Sequence, residues 1–195
     1  MRLLKGNREE RLVERMREGD GAAMREFYSL YGDFLAKICA RYVADGEDLK
    51  DVFQNALIRI FSRVKDFTWR GPGSLRAWAA KVTVNESLDF LRERKRHEFV
   101  RLARDLPDEP GTNGPEPEDP DIRDIPPEVF YRMIRQMPTG YRTVFNLYVF
   151  EEKSHEEIAA LLGIGKDTSA SQLHRAKKWL AKKIREYNET KEDPR

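Results

Sequence analysis

The sequence predicts an all-α protein of two small helical domains joined by a flexible acidic linker, and three observations predict it. Apolar residues recur at helical spacing on both sides of the chain's middle, and nothing alternates at period two for long enough to be a strand. Between Arg104 and Pro127, Pro107, Pro110, Pro115, Pro117, Pro120, Pro126 and Pro127 interrupt any helix, and acids heavily outnumber bases. Beyond that stretch a short capped helix, a glycine turn and a long basic helix follow one another at the spacing of a helix-turn-helix.

Composition narrows the class. The 195 residues, 39% hydrophobic and 10% aromatic, suffice for two small cores. The formal net charge is only +2, so any affinity for nucleic acid has to come from local segregation of charge. Cys39 is the single cysteine and is expected in a core; His97, His155 and His174 lie far apart, so no Cys/His metal site and no cofactor is expected. Met1 to Glu10 lacks the apolar run of a signal peptide, and no 18 consecutive residues are apolar, which points to a cytoplasmic protein without membrane insertion.

In the first half, Asp20 and Asp45 stand where helix N-caps belong, and Ser74 opens a further helix after Gly71-Pro72-Gly73. From Leu49, the residues Val52, Phe53, Ala56, Leu57, Ile60, Phe61 and Val64 follow the i, i+3, i+4, i+7 series and form a core-facing stripe. Ile58 falls on the opposite side, among Asp51, Gln54, Asn55 and Ser62. Such an apolar residue in a polar surface is either covered by another helix or part of a docking site. Phe67-Thr68-Trp69-Arg70 places two aromatics and a base in a loop, where they suit stacking on unpaired bases. On the helix that follows, Trp78, Lys81, Asn85 and Arg92 share a face that suits single-stranded DNA, with Trp78 equally able to serve as core.

In the second half, Pro127 suits a first helical turn, Pro138-Thr139-Gly140 breaks the chain, and four helices are expected. Ser154 and Glu157 form a capping-box pair, Ile158, Leu161 and Leu162 point inward, and Gly163 and Gly165 bracket a tight turn. The next helix, from about Asp167 or Thr168 to Tyr187, is long enough to enter a major groove. Lys166, Arg175, Lys177, Lys178, Lys182, Lys183 and Arg185 make it basic, which suits either phosphate contacts or a solvated face; the capped helix and glycine turn before it favour the former. Leu173, Trp179 or Leu180, and Ile184 are its core residues. The boundaries that follow are 1–103, a linker at 104–126, 127–187, and a polar tail at 188–195.

These residues together resemble a sigma factor of the extracytoplasmic-function type, in the sigma-70 superfamily. Leu12-Val13-Glu14-Arg15 through Phe27-Tyr28-Ser29-Leu30-Tyr31 is similar to the start of sigma region 2, and Glu47-Asp48-Leu49 through Phe61 to its polymerase-binding helix. The resemblance implies that Asp51, Gln54, Asn55 and Ile58 meet the clamp coiled coil of core RNA polymerase. Gly73-Ser74-Leu75-Arg76-Ala77-Trp78, with Asn85 and Asp89-Phe90-Leu91-Arg92, resembles the segment that melts and reads the minus-ten element. By the same resemblance Phe67, Thr68, Trp69 and Arg70 hold a flipped base, with Lys81, Asn85 and Arg92 beside it.

Met137-Pro138-Thr139-Gly140-Tyr141-Arg142 is similar to the Leu-Pro-x-x-Tyr-Arg motif of region 4, and the helix-turn-helix to the reader of the minus-thirty-five element. This implies DNA contacts from Thr168, Ala170, Ser171, His174, Arg175 and Lys178, of which Ser171, His174 and Arg175 face bases. Two residues depart from the pattern. Ser169 stands where the family usually has an apolar residue, which should weaken helix packing, and Ala170 stands where a Lys or Arg is frequent, which removes a contact. The implied partners are core polymerase, through its clamp coiled coil and flap, promoter DNA and an anti-sigma factor; the free protein is expected to be a monomer.

Two other classes weigh against this. A stand-alone repressor or activator needs a dimer, because one short recognition helix reads too few base pairs, and no added dimerisation helix is evident. An enzyme needs a nucleophile with its base or a phosphate-cradling loop. Gly71-Pro72-Gly73 lacks that spacing and the histidines belong to three separate segments, so no catalytic residue is expected.

Overall fold

The computed structural model describes residues 2–95, 122 and 125–192, and these group into two compact units, Met1–Leu91 and Arg92–Arg195. Among the described residues the chain is helical without strands, as its periodicity predicts. Most of the expected linker at 104–126 lies outside the described residues.

The first unit contains α1 (Arg2–Arg17), α2 (Gly21–Tyr42), α3 (Gly46–Arg63), a 3-10 turn (Val64–Asp66) and α4 (Ser74–Lys95). Both predicted aspartate caps are in place. Asp20 accepts a hydrogen bond from the Ala22 amide at 2.7 Å, and Asp45 from Glu47 and Asp48 at 3.0 and 3.1 Å, satisfying donors that a helix start leaves open. Gly19, at φ +81°, makes the turn that lets Asp20 start α2 so soon after α1 ends. Leu12, Val13, Met16, Phe27, Leu35, Val52, Ala56, Ile60, Leu75 and Leu88 are buried in the shared core. The α3 stripe is divided: Val52, Ala56, Ile60 and Val64 are buried, whereas Leu49, Phe53, Leu57 and Phe61 flank them half-buried.

Helix α4 carries polar residues inward. The hydroxyl of Thr83 donates to Ala79 O and that of Ser87 to Thr83 O, both at 2.9 Å, so these buried groups spend their hydrogen bonds within the helix. Arg59 ties α3 to α4 by ion pairs with Glu86 at 2.8 Å and Asp89 at 2.9 Å. Cys39 is buried as expected, and burial pushes its thiol up to about 12.

The second unit contains α5 (Pro127–Gln136), α6 (Thr139–Val149), α7 (His155–Leu162) and α8 (Lys166–Glu192). Its core is built from Met133, Ile134, Met137, Val144, Leu147, Ile158, Leu173, Ala176, Leu180 and Ile184. Leu180 rather than Trp179 takes the interior position, with Trp179 half-buried beside it. Helix α8 continues past the expected end at Tyr187 into the stretch read as a tail, since no proline or glycine interrupts it before Pro194. Arg142 of the Tyr-Arg pair is buried and donates from Nη1 to Arg135 O at 2.8 Å and Met137 O at 3.1 Å, closing the carbonyls at the end of α5. Burial lowers its guanidinium to about 10, which still leaves it protonated at neutral pH.

Candidate nucleic-acid interface

The helix-turn-helix begins with a reciprocal cap. The Ser154 hydroxyl accepts from the Glu157 amide at 3.2 Å, and a Glu157 carboxylate oxygen accepts from the Ser154 amide at 2.9 Å. Helix α7 ends at Gly163, whose φ of +67° is the left-handed cap that glycine adopts without strain. Lys166, at the start of α8, pairs with Glu156 across the turn, and its hydrogen bond is the largest cause that lowers the Glu156 carboxyl, followed by a backbone hydrogen bond and then the lysine's charge. Two turns of α7 and the first turn of α8 are thus fixed by local interactions.

Ser169 is fully buried, with its hydroxyl 3.0 Å from Nδ1 of His155. The His155 ring in turn stacks on Tyr148, with centroids 5.0 Å apart and planes inclined by 24°. The weakened packing expected at Ser169 is therefore met by a polar contact between α7 and α8. Ala170 and Ser171 are exposed; Thr168, His174, Arg175 and Lys178 are half-buried. Ser171 donates to Asp167 O at 2.6 Å, a bond it must exchange to address a base. His174 Nε2 is enclosed without a hydrogen-bond partner among the described residues, so its base-facing edge is not on offer in this conformation. Of the basic series on α8, Lys183 is engaged by Glu186 at 2.7 Å, whereas Lys182 and Arg185 are exposed.

In the first unit, Ile58 is 66% exposed, on the face of α3 opposite its buried stripe, with Asp51, Gln54 and Asn55 exposed beside it. Among the described residues, no helix of its own unit covers it. The loop from Phe67 to Gly73 divides its aromatics differently from the sequence reading. Phe67 is 7% exposed, its ring packed on Trp78 with centroids 4.9 Å apart, so this ring belongs to the core edge and is not open for stacking. Trp78 is half-buried by the same contact. Trp69 is half-buried with its indole N–H enclosed and without a partner among the described residues. Thr68, Arg70, Lys81, Asn85 and Arg92 are exposed.

Two loop contacts were not read from the sequence. Glu9, 9% exposed, accepts hydrogen bonds from the Gly73 amide at 2.6 Å and the Leu75 amide at 3.2 Å. Arg17 donates to the Phe67 carbonyl. A signal for the first existed: Glu9, Leu12, Val13 and Met16 follow i, i+3, i+4, i+7, which puts a carboxylate on the core stripe of α1.

Comparison with known families matches residues 27–97 to Sigma-70 region 2 and residues 128–180 to Sigma-70, region 4. The chain is 30% identical over 159 residues to the RNA polymerase sigma factor SigV of Bacillus subtilis, covering 80% of this chain and 85% of that one. It is 26% identical over 188 residues to the RNA polymerase sigma-H factor of Pseudomonas aeruginosa, covering 93% and 96%. It is also 26% identical over 179 residues to the ECF RNA polymerase sigma-E factor of Escherichia coli K12, covering 89% and 92%. Among solved structures, CnrH in complex with the cytosolic domain of CnrY is similar at 20% identity and a TM-score of 0.45, covering 89% of this chain and 95% of that one.

Proposed function

The chain belongs to the sigma-70 family of RNA polymerase sigma factors, to its extracytoplasmic-function type, and from that premise we propose how its residues divide promoter recognition and polymerase binding. Residues 1–103 bind core polymerase and read and melt the minus-ten element. Residues 127–187 read the minus-thirty-five element, and 104–126 span the distance between. The observation that carries the reading is the exposure of Ile58. A large aliphatic side chain held in water amid Asp51, Gln54 and Asn55 is the centre-and-rim pattern of a docking patch, and the clamp coiled coil of core polymerase is its partner. A repressor working alone has no use for such a patch on a face remote from its helix-turn-helix in sequence.

Promoter contacts divide by chemistry. Thr68, Trp69 and Arg70 on the loop, with Lys81, Asn85 and Arg92 on α4, combine cations, an amide and an indole around a captured base. Phe67 contributes by anchoring the loop. On α8, Ser171 and Arg175 address base edges while Thr168 and Lys178 take phosphates; Ala170 offers no polar contact, and His174 joins only after its ring turns outward. The flap of core polymerase supports the second unit, and an anti-sigma factor restrains the free monomer.

The test is reconstitution. Purified protein, core RNA polymerase and genomic DNA should give transcripts whose upstream sequences share two spaced elements. Absence of a complex with core, or tight sequence-specific duplex binding by a dimer without polymerase, overturns the reading.

A further inference from the structure

We propose that Glu9 and Arg17 of α1 are positioning residues for promoter opening, holding the Phe67–Gly73 loop at its two ends so that Thr68 to Arg70 meet the DNA preformed. The inference rests on the region 2 reading above. Neither residue belongs to the loop or to the surface assigned to DNA.

The loop needs fixing from outside. Gly71 and Gly73 lie at φ +114° and +90°, conformations whose freedom in glycine makes a free loop costly to order. Within the loop, bonding is short-range: Arg70 donates its amide to the Ser74 hydroxyl at 3.2 Å, and the Ser74 amide donates to Gly71 O at 3.1 Å. The long-range bonds come from α1. Glu9 takes the Gly73 and Leu75 amides at the α4 end, where a buried carboxylate is favoured by the helix start, and Arg17 takes the Phe67 carbonyl at the other. Both contacts are charge-assisted bonds to backbone, so they set the path of the chain rather than one rotamer. Thr68 and Arg70, between the two clamps, are left exposed. A loop that captures an unstacked base gains affinity and rate when its geometry is set in advance.

Full-length Glu9→Ala, Glu9→Gln, Arg17→Ala and Arg17→Met proteins should be assembled with core polymerase on a promoter selected by the wild-type protein, as intact duplex and as the same DNA with a mismatched, already open minus-ten region. Positioning predicts that duplex opening falls about tenfold in the alanine variants, the scale of one lost charge-assisted bond. Core affinity should stay within about twofold, and initiation on the open template should recover, because the DNA no longer has to be melted. Hydrogen exchange in the free protein should accelerate in the segment 67–75 and not in α2 or α3. Glu9→Gln, which keeps an acceptor, should fall between wild type and alanine.

Equal losses in core binding and on both templates mark a role in folding alone and overturn the proposal, as does duplex opening within twofold of wild type in folded alanine variants. Where an alanine variant fails to fold, Glu9→Gln and Arg17→Met, which keep side-chain volume, are judged by the same criteria. A wild-type protein that neither binds core nor opens any template overturns the region 2 reading, and this inference with it.

Discussion

Ser169 on α8 and His155 on α7 are joined by a contact of 3.0 Å, buried on the serine side. The pair substitutes direction for bulk. An apolar side chain fixes the angle between two helices by filling space, whereas this hydroxyl fixes it by bonding one imidazole nitrogen while Tyr148 holds the ring flat. Removing one partner should therefore cost more than the loss of a methyl-sized group. Ser169→Ala should destabilise the second unit by about 1 kcal/mol, lowering its Tm by roughly 4–8 °C. A double-mutant cycle with His155→Phe should return a coupling of about 0.5–1.5 kcal/mol, and strict additivity would show the contact to be energetically idle.

Acid should loosen the α1–α2 corner. The Asp20 carboxyl is held below its ordinary value by hydrogen bonds from the Arg15 guanidinium first and from the Ala22 amide second. A folded-state value below the unfolded one means that the stabilisation is complete above the unfolded value, about 3.9, and is lost as pH falls through the folded one. Thermal midpoints of the wild type should thus decline from pH 5 towards pH 2. Asp20→Asn should show a shallower decline over the same window, and identical slopes for the two proteins would remove Asp20 from the explanation.

Cys39 should be silent in the native protein. The thiolate is the reacting form, and with the thiol pushed to about 12 by burial only roughly one part in ten thousand is ionised at pH 8. Labelling by a disulfide reagent should follow global unfolding and reach one equivalent in denaturant. Rapid stoichiometric labelling of the native protein would contradict this burial.

These expectations differ in how far they were visible in the residues alone. The α3 period, its Asp45 cap and the side of the helix on which Ile58 falls are local matters and were legible; whether another helix covers Ile58, and which stripe residues are fully buried, were not. The Ser154–Glu157 box, whose partners are three positions apart, was legible too. What was illegible is non-local. Arg17 meets Phe67 across 50 positions and Glu9 meets Gly73 across 64, and pairings of that kind follow from tertiary packing rather than pattern. Phe67 was misread for a related reason: an aromatic in a loop looks available for stacking until the helix that covers it, through Trp78, is in place. Ser169 looked like a packing defect because its partner, His155, lies 14 positions away on the preceding helix, a pairing that local pattern does not show.

Ile58 and Ile60, two positions apart, should separate partner binding from stability. Ile60 is fully buried, and Ile60→Ala should cost about 2–5 kcal/mol of folding free energy. Ile58 is mostly in water, so Ile58→Asp should stay within about 0.5 kcal/mol in stability. Its effect should fall on core polymerase, where a charge in the centre of an apolar contact is desolvated without a partner. Equilibrium binding to core together with thermal denaturation of each variant checks this, and normal core affinity in Ile58→Asp would move the docking surface elsewhere.

Asn85 and Lys81 should divide base reading from backbone attraction. Both are exposed on α4, one turn apart, on the face that follows the loop. An amide can pair with the edge of an unstacked base, so Asn85→Ala should slow promoter opening by about tenfold and alter which bases are tolerated, with little change in salt dependence. Lysine acts on phosphate as a point charge, so Lys81→Ala should weaken binding uniformly across sequences and reduce the slope of log affinity against log salt by about one. Core binding should survive both changes if the docking face is the one proposed on α3, around the exposed Ile58. Opening rates across a panel of minus-ten variants at several salt concentrations test the pair together. If Asn85→Ala lowers core affinity as much as opening, the face belongs to the polymerase contact; if the two variants are indistinguishable in sequence tolerance and salt slope, α4 attracts DNA without reading it.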